Sequence, residues 1–83
     1  MLKFTLYTKA DCSLCDKANA ELDQFRGACE FELIRVDIAS DAALFEKYKH
    51  DIPVLEINGR EAAKHFLNQK KLRTLVERQN QKN

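Results

Sequence analysis

Residues 9–18 read Lys-Ala-Asp-Cys-Ser-Leu-Cys-Asp-Lys-Ala, and the interpretation of the whole chain starts from this stretch. Its cysteines, Cys12 and Cys15, form a C-x-x-C pair at the point where the hydrophobic pattern changes period. The preceding residues 3–8 alternate between apolar and polar β-formers, which predicts a strand. The apolar residues that follow are spaced for one buried helical stripe: Leu14, Ala18, Leu22 and Phe25. The pair therefore lies where a strand passes into a helix, and Gly27 is expected to end that helix in the left-handed conformation.

Beyond this helix the pattern returns to a strand and then to a short helix. Residues 31–38 predict a second strand, whose nearly continuous apolar character favours a central position with both faces buried. The apolar residues that alternate along this strand are Ile34, Val36 and Ile38. Ser40 is the expected N-cap of the second helix. The inward side chains of that helix are expected to be Leu44, Phe45 and Tyr48.

A hairpin and a last helix complete the predicted order of elements. Residues 54–57 predict a third strand, entered through the single proline of the chain, and residues 60–63 predict a fourth. Between them, Asn58-Gly59 indicates a type I′ turn, because both central positions of that turn need a positive φ. The last helix is expected to begin at Asn68. Its core-facing residues are expected to be Leu72, Leu75 and Val76.

The predicted order, β-α-β-α-β-β-α, indicates an α/β fold. A strand, a crossover helix and a second strand predict a parallel pair with a right-handed connection, and the hairpin adds antiparallel pairing. We therefore expect a four-stranded mixed sheet with three helices. A chain of 83 residues holds one such domain, spanning residues 1–83. Residues 79–83 have nothing to bury and are expected to fray.

The composition excludes several classes of protein. A chain that is 45% hydrophobic and 33% charged is typical of globular rather than disordered proteins. No apolar run approaches the ~18 residues of a membrane span, and residues 1–9 lack the apolar run of a secretory signal. We therefore expect a cytoplasmic protein without a membrane partner. Residues 60–83 are basic, but no aromatic cluster or nucleic-acid motif accompanies them, so we expect no nucleic-acid partner.

The cysteines point to redox chemistry. Three cysteines in a short chain without a secretion signal do not form a disulfide scaffold, and a C-x-x-C pair in a β-α-β context favours thiol–disulfide exchange. The first turn of a helix directs free N–H groups and its positive dipole end at Cys12, which stabilises a thiolate there. We therefore expect a moderately lowered pKa for the Cys12 thiol, with Cys12 as the nucleophile and Cys15 as the resolving thiol.

The sequence also leaves two non-catalytic roles open for the cysteine pair. The pair could be half of a zinc or iron–sulfur site, which needs four ligands. The remaining cysteine and histidine residues, however, occur at no recognisable metal-binding spacing: Cys29, His50 and His65. The pair could also be inert and serve only to fill space. The alternative to an oxidoreductase is therefore a non-catalytic or metal-carrying binding module.

The chain resembles the compact glutaredoxin-like proteins of the thioredoxin superfamily. The segments that carry the resemblance are Lys9–Ala18, Val36–Ile38, Tyr48, Asp51–Val54 and Asn58–Gly59, and the resemblance as a whole covers nearly the entire chain, from about residue 3 to 77. It implies a glutaredoxin fold with Cys12 as the attacking thiol and Cys15 as the resolving thiol. It also implies a cis bond between Ile52 and Pro53 that faces the cysteines.

The resemblance further implies how such a protein is used. Substrate or glutathione binding is carried over to Lys9, Ser13, Leu14, Ile52 and Pro53. The implied substrates are disulfide-bonded or glutathionylated proteins. A monomer without a tightly bound cofactor or metal is expected, with glutathione or a thioredoxin-type reductant as electron donor.

Two departures from the glutaredoxin pattern keep both reductants open. Residues 63–67 read Ala-Lys-His-Phe-Leu where glutaredoxins carry Gly-Gly followed by acidic residues. In those proteins the backbone there holds the charged ends of glutathione, so larger side chains fill space that is otherwise open. Asp16 also follows the second cysteine in place of the usual basic residue.

Overall fold

A computed structural model of the chain describes residues 1–80. The strands are β1 (Leu2–Thr8), β2 (Phe31–Asp37), β3 (Val54–Ile57) and β4 (Arg60–Lys64). The helices are α1 (Ser13–Phe25), α2 (Ala42–Tyr48) and α3 (Gln69–Asn80), with a short 3₁₀ turn at Ile38–Ser40. The predicted α/β fold with a four-stranded mixed sheet and three helices is confirmed. Residues 79 and 80 belong to α3, and the rest of the segment expected to fray, 81–83, lies outside the described residues.

The strand order in the sheet is β2-β1-β3-β4. β1 is parallel to β2 and antiparallel to β3, and the hairpin joins β3 to β4. The prediction that β2 is central is therefore wrong, because β2 lies at an edge. Its residue Ile34 shares a face with Tyr7 and stays 36% exposed, since the seven-residue α2 covers only part of that face. An apolar run shows that burial is favourable, but it does not show how many neighbours a strand has.

Helices pack on both faces of the sheet and produce two hydrophobic clusters. The larger cluster joins α1 and α3 to one face, and its buried members are Phe4, Leu6, Ala18, Leu22, Phe25, Phe31, Leu55, Ile57, Ala63, Leu67 and Leu72. The smaller cluster joins α2 to the other face, and its buried members are Ile38, Tyr48 and Val54. The predicted inward positions of Leu44 and Phe45 in α2 are confirmed, as are those of Leu75 and Val76 in α3.

The buried stripe of α1 differs from the prediction by one residue. Cys15, not Leu14, lies in line with Ala18 and Leu22, and Leu14 is 42% exposed. Because α1 begins at Ser13, both residues lie in its first turn, where a one-residue shift moves a side chain about 100° around the axis. The second cysteine is thus buried, and the leucine between the cysteines faces outward.

The ends of the elements follow local hydrogen bonds. Asp41, not Ser40, caps α2, and its Oδ1 accepts hydrogen bonds from the N–H groups of Ala43 and Leu44 at 2.8 and 3.2 Å. The 3₁₀ turn takes up Ser40, whose hydroxyl donates to the Asp37 carbonyl, so the helix starts one residue later than predicted. The Asp37 carboxylate accepts from the Ala39 N–H at 2.9 Å and so supports this turn.

Two turns test the predictions about glycine and asparagine. Asn58 and Gly59 have φ values of 52° and 85°, which confirms the predicted type I′ turn. Gly27 does not have a positive φ, so its predicted left-handed helix stop is wrong. Its N–H instead donates to the Gln24 carbonyl at 3.2 Å in the turn that follows α1. α3 begins at Gln69, one residue later than predicted, because Asn68 acts as its cap: the Asn68 Oδ1 accepts from the Lys71 N–H at 2.8 Å.

Candidate active site

Cys12 is the N-cap of α1, at the open end of the sheet where β1 finishes. Its backbone is extended, with φ −119° and ψ 106°, and its Sγ accepts a hydrogen bond from the Cys15 N–H at 3.2 Å. The Cys12 carbonyl begins the helix by accepting from the Asp16 N–H at 3.1 Å. A sulfur in the N-cap position meets the partial positive charge of the helix end, which favours a thiolate when the protein is reduced.

Cys12 and Cys15 are joined in a disulfide, with Cα atoms 5.2 Å apart. This separation lies inside the range of about 4.4–6.8 Å for protein disulfides. The two sulfurs are not equally accessible, because Cys12 is partly exposed whereas Cys15 is only 2% exposed. A substrate approaching from solvent can therefore reach Cys12 first. This asymmetry agrees with the expected roles, in which Cys12 attacks and Cys15 resolves.

The Ile52–Pro53 peptide bond is cis, as the resemblance implied. It directly precedes β3, whose first residue Val54 pairs with Tyr7 near the end of β1. The cis bond and the loop that carries Cys12 therefore lie at the same end of the sheet. Pro53 is buried and Ile52 half-buried, so the proposed contact with a substrate would use backbone atoms more than the proline ring.

The remaining residues expected to bind substrate surround this end of the sheet. Lys9, Ser13 and Leu14 are all exposed in the loop and first turn on either side of Cys12. Asp11 has a φ of 58°, so the loop passes through a left-handed residue immediately before the cysteine. The binding roles of Lys9, Ser13, Leu14, Ile52 and Pro53 stay predictions.

The segment after β4 is fastened to the cis proline. The Pro53 carbonyl accepts a hydrogen bond from the His65 N–H at 2.8 Å. His65 has a φ of 68°, and its ring nitrogen lies 3.1 Å from the His50 carbonyl. His65 is thus the residue with a left-handed backbone within residues 63–67, the stretch that departs from the glutaredoxin pattern. Sequence patterns gave no sign of this, because histidine is a weak indicator of such a conformation.

Side chains fill the end of β4 itself. Ala63 is buried opposite Leu55, and the Lys64 Nζ lies 3.4 Å from a carboxylate oxygen of Asp51 and 3.6 Å from one of Glu61. The negative charge of Asp51, followed by that of Glu61, raises the pKa of the Lys64 amine. The Lys64 amine is therefore paired with neighbouring carboxylates. Lys64 does not offer the exposed backbone that a Gly-Gly pair would offer at this position.

The other residues that could complete a metal site, Cys29, His50 and His65, do not form a ligand cluster with the cysteine pair within residues 1–80. The Cys29 thiol donates to the Glu30 carbonyl at 3.5 Å, and the His65 ring contacts the His50 backbone. Within residues 1–80, no three or more His, Cys, Asp and Glu side chains form a group able to hold a metal ion. Over the same residues, no helix is both long and apolar enough to pass through a membrane.

Tyr7 of β1 and Tyr48, the last residue of α2, pack against one another. Their ring centroids are 4.9 Å apart, and both hydroxyls donate to the Glu56 carboxylate, at 3.1 and 3.3 Å. Burial, with the hydrogen bond to Glu56 and its negative charge, raises the pKa of the Tyr7 hydroxyl. This hydrogen-bonded group holds α2 against β1 and β3.

Comparison with known proteins agrees with this arrangement. The glutaredoxin-like domain (DUF836) family model matches residues 3–77. The X-ray structure of the structural genomics target protein XcR50 from X. campestris shares 38% identity, with a TM-score of 0.76, over 90% of this chain and 96% of that chain. The solution structure of protein Ne2328 from Nitrosomonas europaea shares 25% identity, with a TM-score of 0.76, over 88% of each chain.

Thioredoxins share the fold at lower sequence identity. The oxidised thioredoxin from Plasmodium falciparum is 18% identical, with a TM-score of 0.64, over 94% of this chain and 80% of that chain. The cysteine pair at the start of α1, the cis proline before β3 and the strand order therefore occur here within a thioredoxin-like α/β fold. The family match over residues 3–77 and the 38% identity to the X. campestris protein show that the chain belongs to the glutaredoxin-like domain (DUF836) family.

Proposed function

We propose that the protein is a thiol–disulfide oxidoreductase that reduces disulfides or mixed disulfides in other proteins. The observation that carries this proposal is the Cys12–Cys15 disulfide at the N-terminus of α1, with Cys12 partly exposed and Cys15 buried. A structural disulfide needs no such difference in access, and one that spans three residues would close too short a loop to stabilise the fold greatly.

The reaction begins with the reduced protein. The Cys12 thiolate attacks one sulfur of the substrate disulfide, a bond forms between that sulfur and Cys12, and the other substrate sulfur leaves as a thiolate that takes a proton from solvent. Cys15 then loses its proton and attacks the Cys12 sulfur. The Cys12–Cys15 disulfide forms and the second substrate thiolate leaves, so two electrons have passed from the protein to the substrate. The helix end favours the first step because it stabilises the Cys12 thiolate, both as nucleophile and as leaving group.

An external thiol must return the two electrons by the same exchange in reverse. Glutathione or a protein dithiol of the thioredoxin type can do so. The filled end of β4, where Ala63 is buried and Lys64 is paired with Asp51, supports the dithiol. The cytoplasm is the compartment we propose for this activity, because such donors keep thiols reduced there.

Intact mass across a redox series tests the proposal. The protein is equilibrated with glutathione buffers of stepped potential, its free thiols are alkylated, and the masses are read. We expect two alkylatable thiols, localised to Cys12 and Cys15, to be lost together at one potential, roughly between −180 and −270 mV. Cys29→Ser serves as the matched control, because it removes a thiol without touching the pair.

The same measurement separates the alternatives. A glutathione adduct that appears on Cys12 within the series supports glutathione as the donor, and its absence supports a protein dithiol. Three alkylatable thiols at every potential would contradict the proposal and favour the non-catalytic or metal-carrying binding module.

A further inference from the structure

An apolar groove lies beside the cysteine pair, between α1 and the segment that joins β4 to α3. It has a volume of about 390 Å³ and is lined by Leu14, Lys17, Ala20, Glu21, Phe66 and Leu67. Within residues 1–80, four large hydrophobic side chains are exposed, and two of them line this groove: Leu14 at 42% and Phe66 at 53%. The groove therefore holds apolar surface that folding has left uncovered.

Each wall of the groove is formed by a residue that is next to the redox site in sequence or that follows a residue held to it by a hydrogen bond. Leu14 is one of the two residues between the cysteines and lies, like Cys15, in the first turn of α1. Phe66 follows His65, whose N–H is bound to the carbonyl of the cis proline. Its position is further held by Lys71, whose Nζ donates to the Phe66 carbonyl at 3.3 Å and lies 5.7 Å from the centre of the ring. The groove thus begins in the first turn of α1, two residues after the cysteine to which a substrate is joined.

The charges in the groove limit what can enter it. Glu21 is engaged, because the side-chain amide of Gln69 donates to its Oε1 and to its backbone carbonyl, both at 2.8 Å. Lys17 is exposed, and within residues 1–80 its side chain has no hydrogen bond or ion pair. An occupant therefore meets an apolar floor with the positive charge of Lys17 near the Leu14 end and the negative charge of Glu21 one helical turn further along α1.

We propose that this groove is a substrate-specificity site that takes a large apolar side chain, with an acidic neighbour, from a polypeptide close to its reactive cysteine. The proposal rests on the oxidoreductase function, because the substrate sulfur joined to Cys12 brings the following residues of its chain over Leu14. A polypeptide can supply an apolar side chain at that distance, whereas glutathione carries none. The substrates selected are therefore protein disulfides with an aromatic or branched aliphatic residue beside the cysteine.

Single-turnover oxidation of the reduced protein tests this inference without any external reductant. The probes are two synthetic peptides with an internal disulfide, identical except that the residues after the first cysteine are Phe-Glu in one and Ala-Glu in the other. Bis(2-hydroxyethyl) disulfide is the small probe. Acid quench, alkylation and intact mass give the rate at which the Cys12–Cys15 disulfide forms. We expect the wild-type protein to react about ten-fold faster with the Phe-Glu peptide than with the Ala-Glu peptide.

The ratio of the two peptide rates is read, because a general loss of reactivity cancels in it. Phe66→Ala should lower the ratio below about three-fold, Phe66→Leu should keep most of it, and Ile34→Ala, which shortens an exposed apolar side chain on the β2 edge, should leave it unchanged. Phe66 is more than half exposed, so its truncation does not endanger the core. A ratio that stays near ten in Phe66→Ala, or that is near one in the wild-type protein, would overturn the inference.

A separate experiment tests the role of the Lys17 charge. A third peptide carries Phe-Lys in place of Phe-Glu. The wild-type protein should prefer the Phe-Glu peptide, and Lys17→Glu should reverse that order, with both differences shrinking at high salt. An unchanged preference in Lys17→Glu would overturn the assignment of the acidic neighbour. If the reduced wild-type protein reacts with no probe, including bis(2-hydroxyethyl) disulfide, the oxidoreductase function itself fails, and that result differs from the loss of peptide preference alone.

Discussion

At the scale of single residues, Cys12 and Cys15 lie close together in the sequence but differ in how far each side chain is exposed to solvent. Cys12 caps α1 and is partly exposed, whereas Cys15 lies in the first turn and is buried in line with Ala18. A residue at the N-cap has a free side chain that turns back over the first N–H groups. The following residues point into or away from the sheet according to the helical period, and this places the second sulfur in the core.

Serine substitutions separate the two cysteines. Cys12→Ser should abolish the reduction of peptide disulfides, because it removes the thiolate that attacks. Cys15→Ser should instead accumulate a covalent mixed disulfide with the substrate, since no second thiol releases it. Intact mass after mixing with an oxidised peptide measures both results. Equal adduct formation by Cys12→Ser and Cys15→Ser would show that the assigned roles are wrong.

His65 is a second residue whose backbone is informative. It has a φ of 68°, and an L-residue in this region costs roughly 1–2 kcal/mol unless local contacts compensate. The contact of its ring with the His50 carbonyl and the bond from its N–H to the Pro53 carbonyl hold it there.

Two substitutions at His65 isolate the cost of this conformation. Both His65→Gly and His65→Ala lose the ring contact, but only glycine relieves the left-handed backbone. We expect His65→Gly to be more stable than His65→Ala by about 1 kcal/mol in urea unfolding. Equal stability of the two variants would mean that the backbone at this position carries no strain.

At the level of elements, the ends of α2 depend on short-range hydrogen bonds. Asp41 accepts from two N–H groups of the first turn, whereas Ser40 belongs to the preceding 3₁₀ turn. A carboxylate at this position also interacts favourably with the positive end of the helix. α2 is only seven residues long, so its cap carries a large share of its stability.

The cap predicts a difference between two adjacent positions. Asp41→Ala should lower the free energy of unfolding by about 1 kcal/mol, because two N–H groups lose their acceptor. Ser40→Ala is the matched control and should cost only a few tenths of that, since its exposed hydroxyl makes one bond to a carbonyl. Denaturant unfolding of both variants measures the difference. A larger loss of free energy of unfolding in Ser40→Ala than in Asp41→Ala would indicate that Ser40 is the cap.

For the whole molecule, stability depends on the face of the sheet that α1 and α3 share. Leu72 in α3 is fully buried there, in the same cluster as Leu22 of α1 and Phe4 of β1. α3 also contacts α1 through the bonds from Gln69 to Glu21. Because an 83-residue chain has one main core, a cavity in it affects every element.

Leu72→Ala should destabilise the protein by about 2–5 kcal/mol, through lost apolar burial and the remaining cavity. This is a large part of the roughly 5–15 kcal/mol that a small domain has in total. Urea unfolding measures the loss. As a control, Ile34→Ala, at an exposed position on β2, should change the free energy of unfolding by less than about 0.5 kcal/mol. A similar small loss in Leu72→Ala would mean that α3 contributes little to the fold.

Local pattern was sufficient for much of this protein. The order of strands and helices, the Asn58-Gly59 turn and the cysteine pair at a strand–helix junction all follow from residues a few positions apart. Periodicity, capping and turn propensity act over this distance, so they are visible in the sequence. The resemblance carried by residues 9–18 and 51–59 added the cis proline and the family, which periodicity alone does not contain.

Long-range pairing settled what local pattern could not. The sheet order placed β2 at an edge, although its apolar run favoured the centre. The same packing turned Cys15 inward and Leu14 outward, and it brought Phe66, more than fifty residues away in sequence, to the other side of the groove from Leu14. The physical reason is that a side chain's hydrophobicity shows that burial is favourable, whereas the partner that buries it, or leaves it exposed for a substrate, is chosen by contacts between distant parts of the chain.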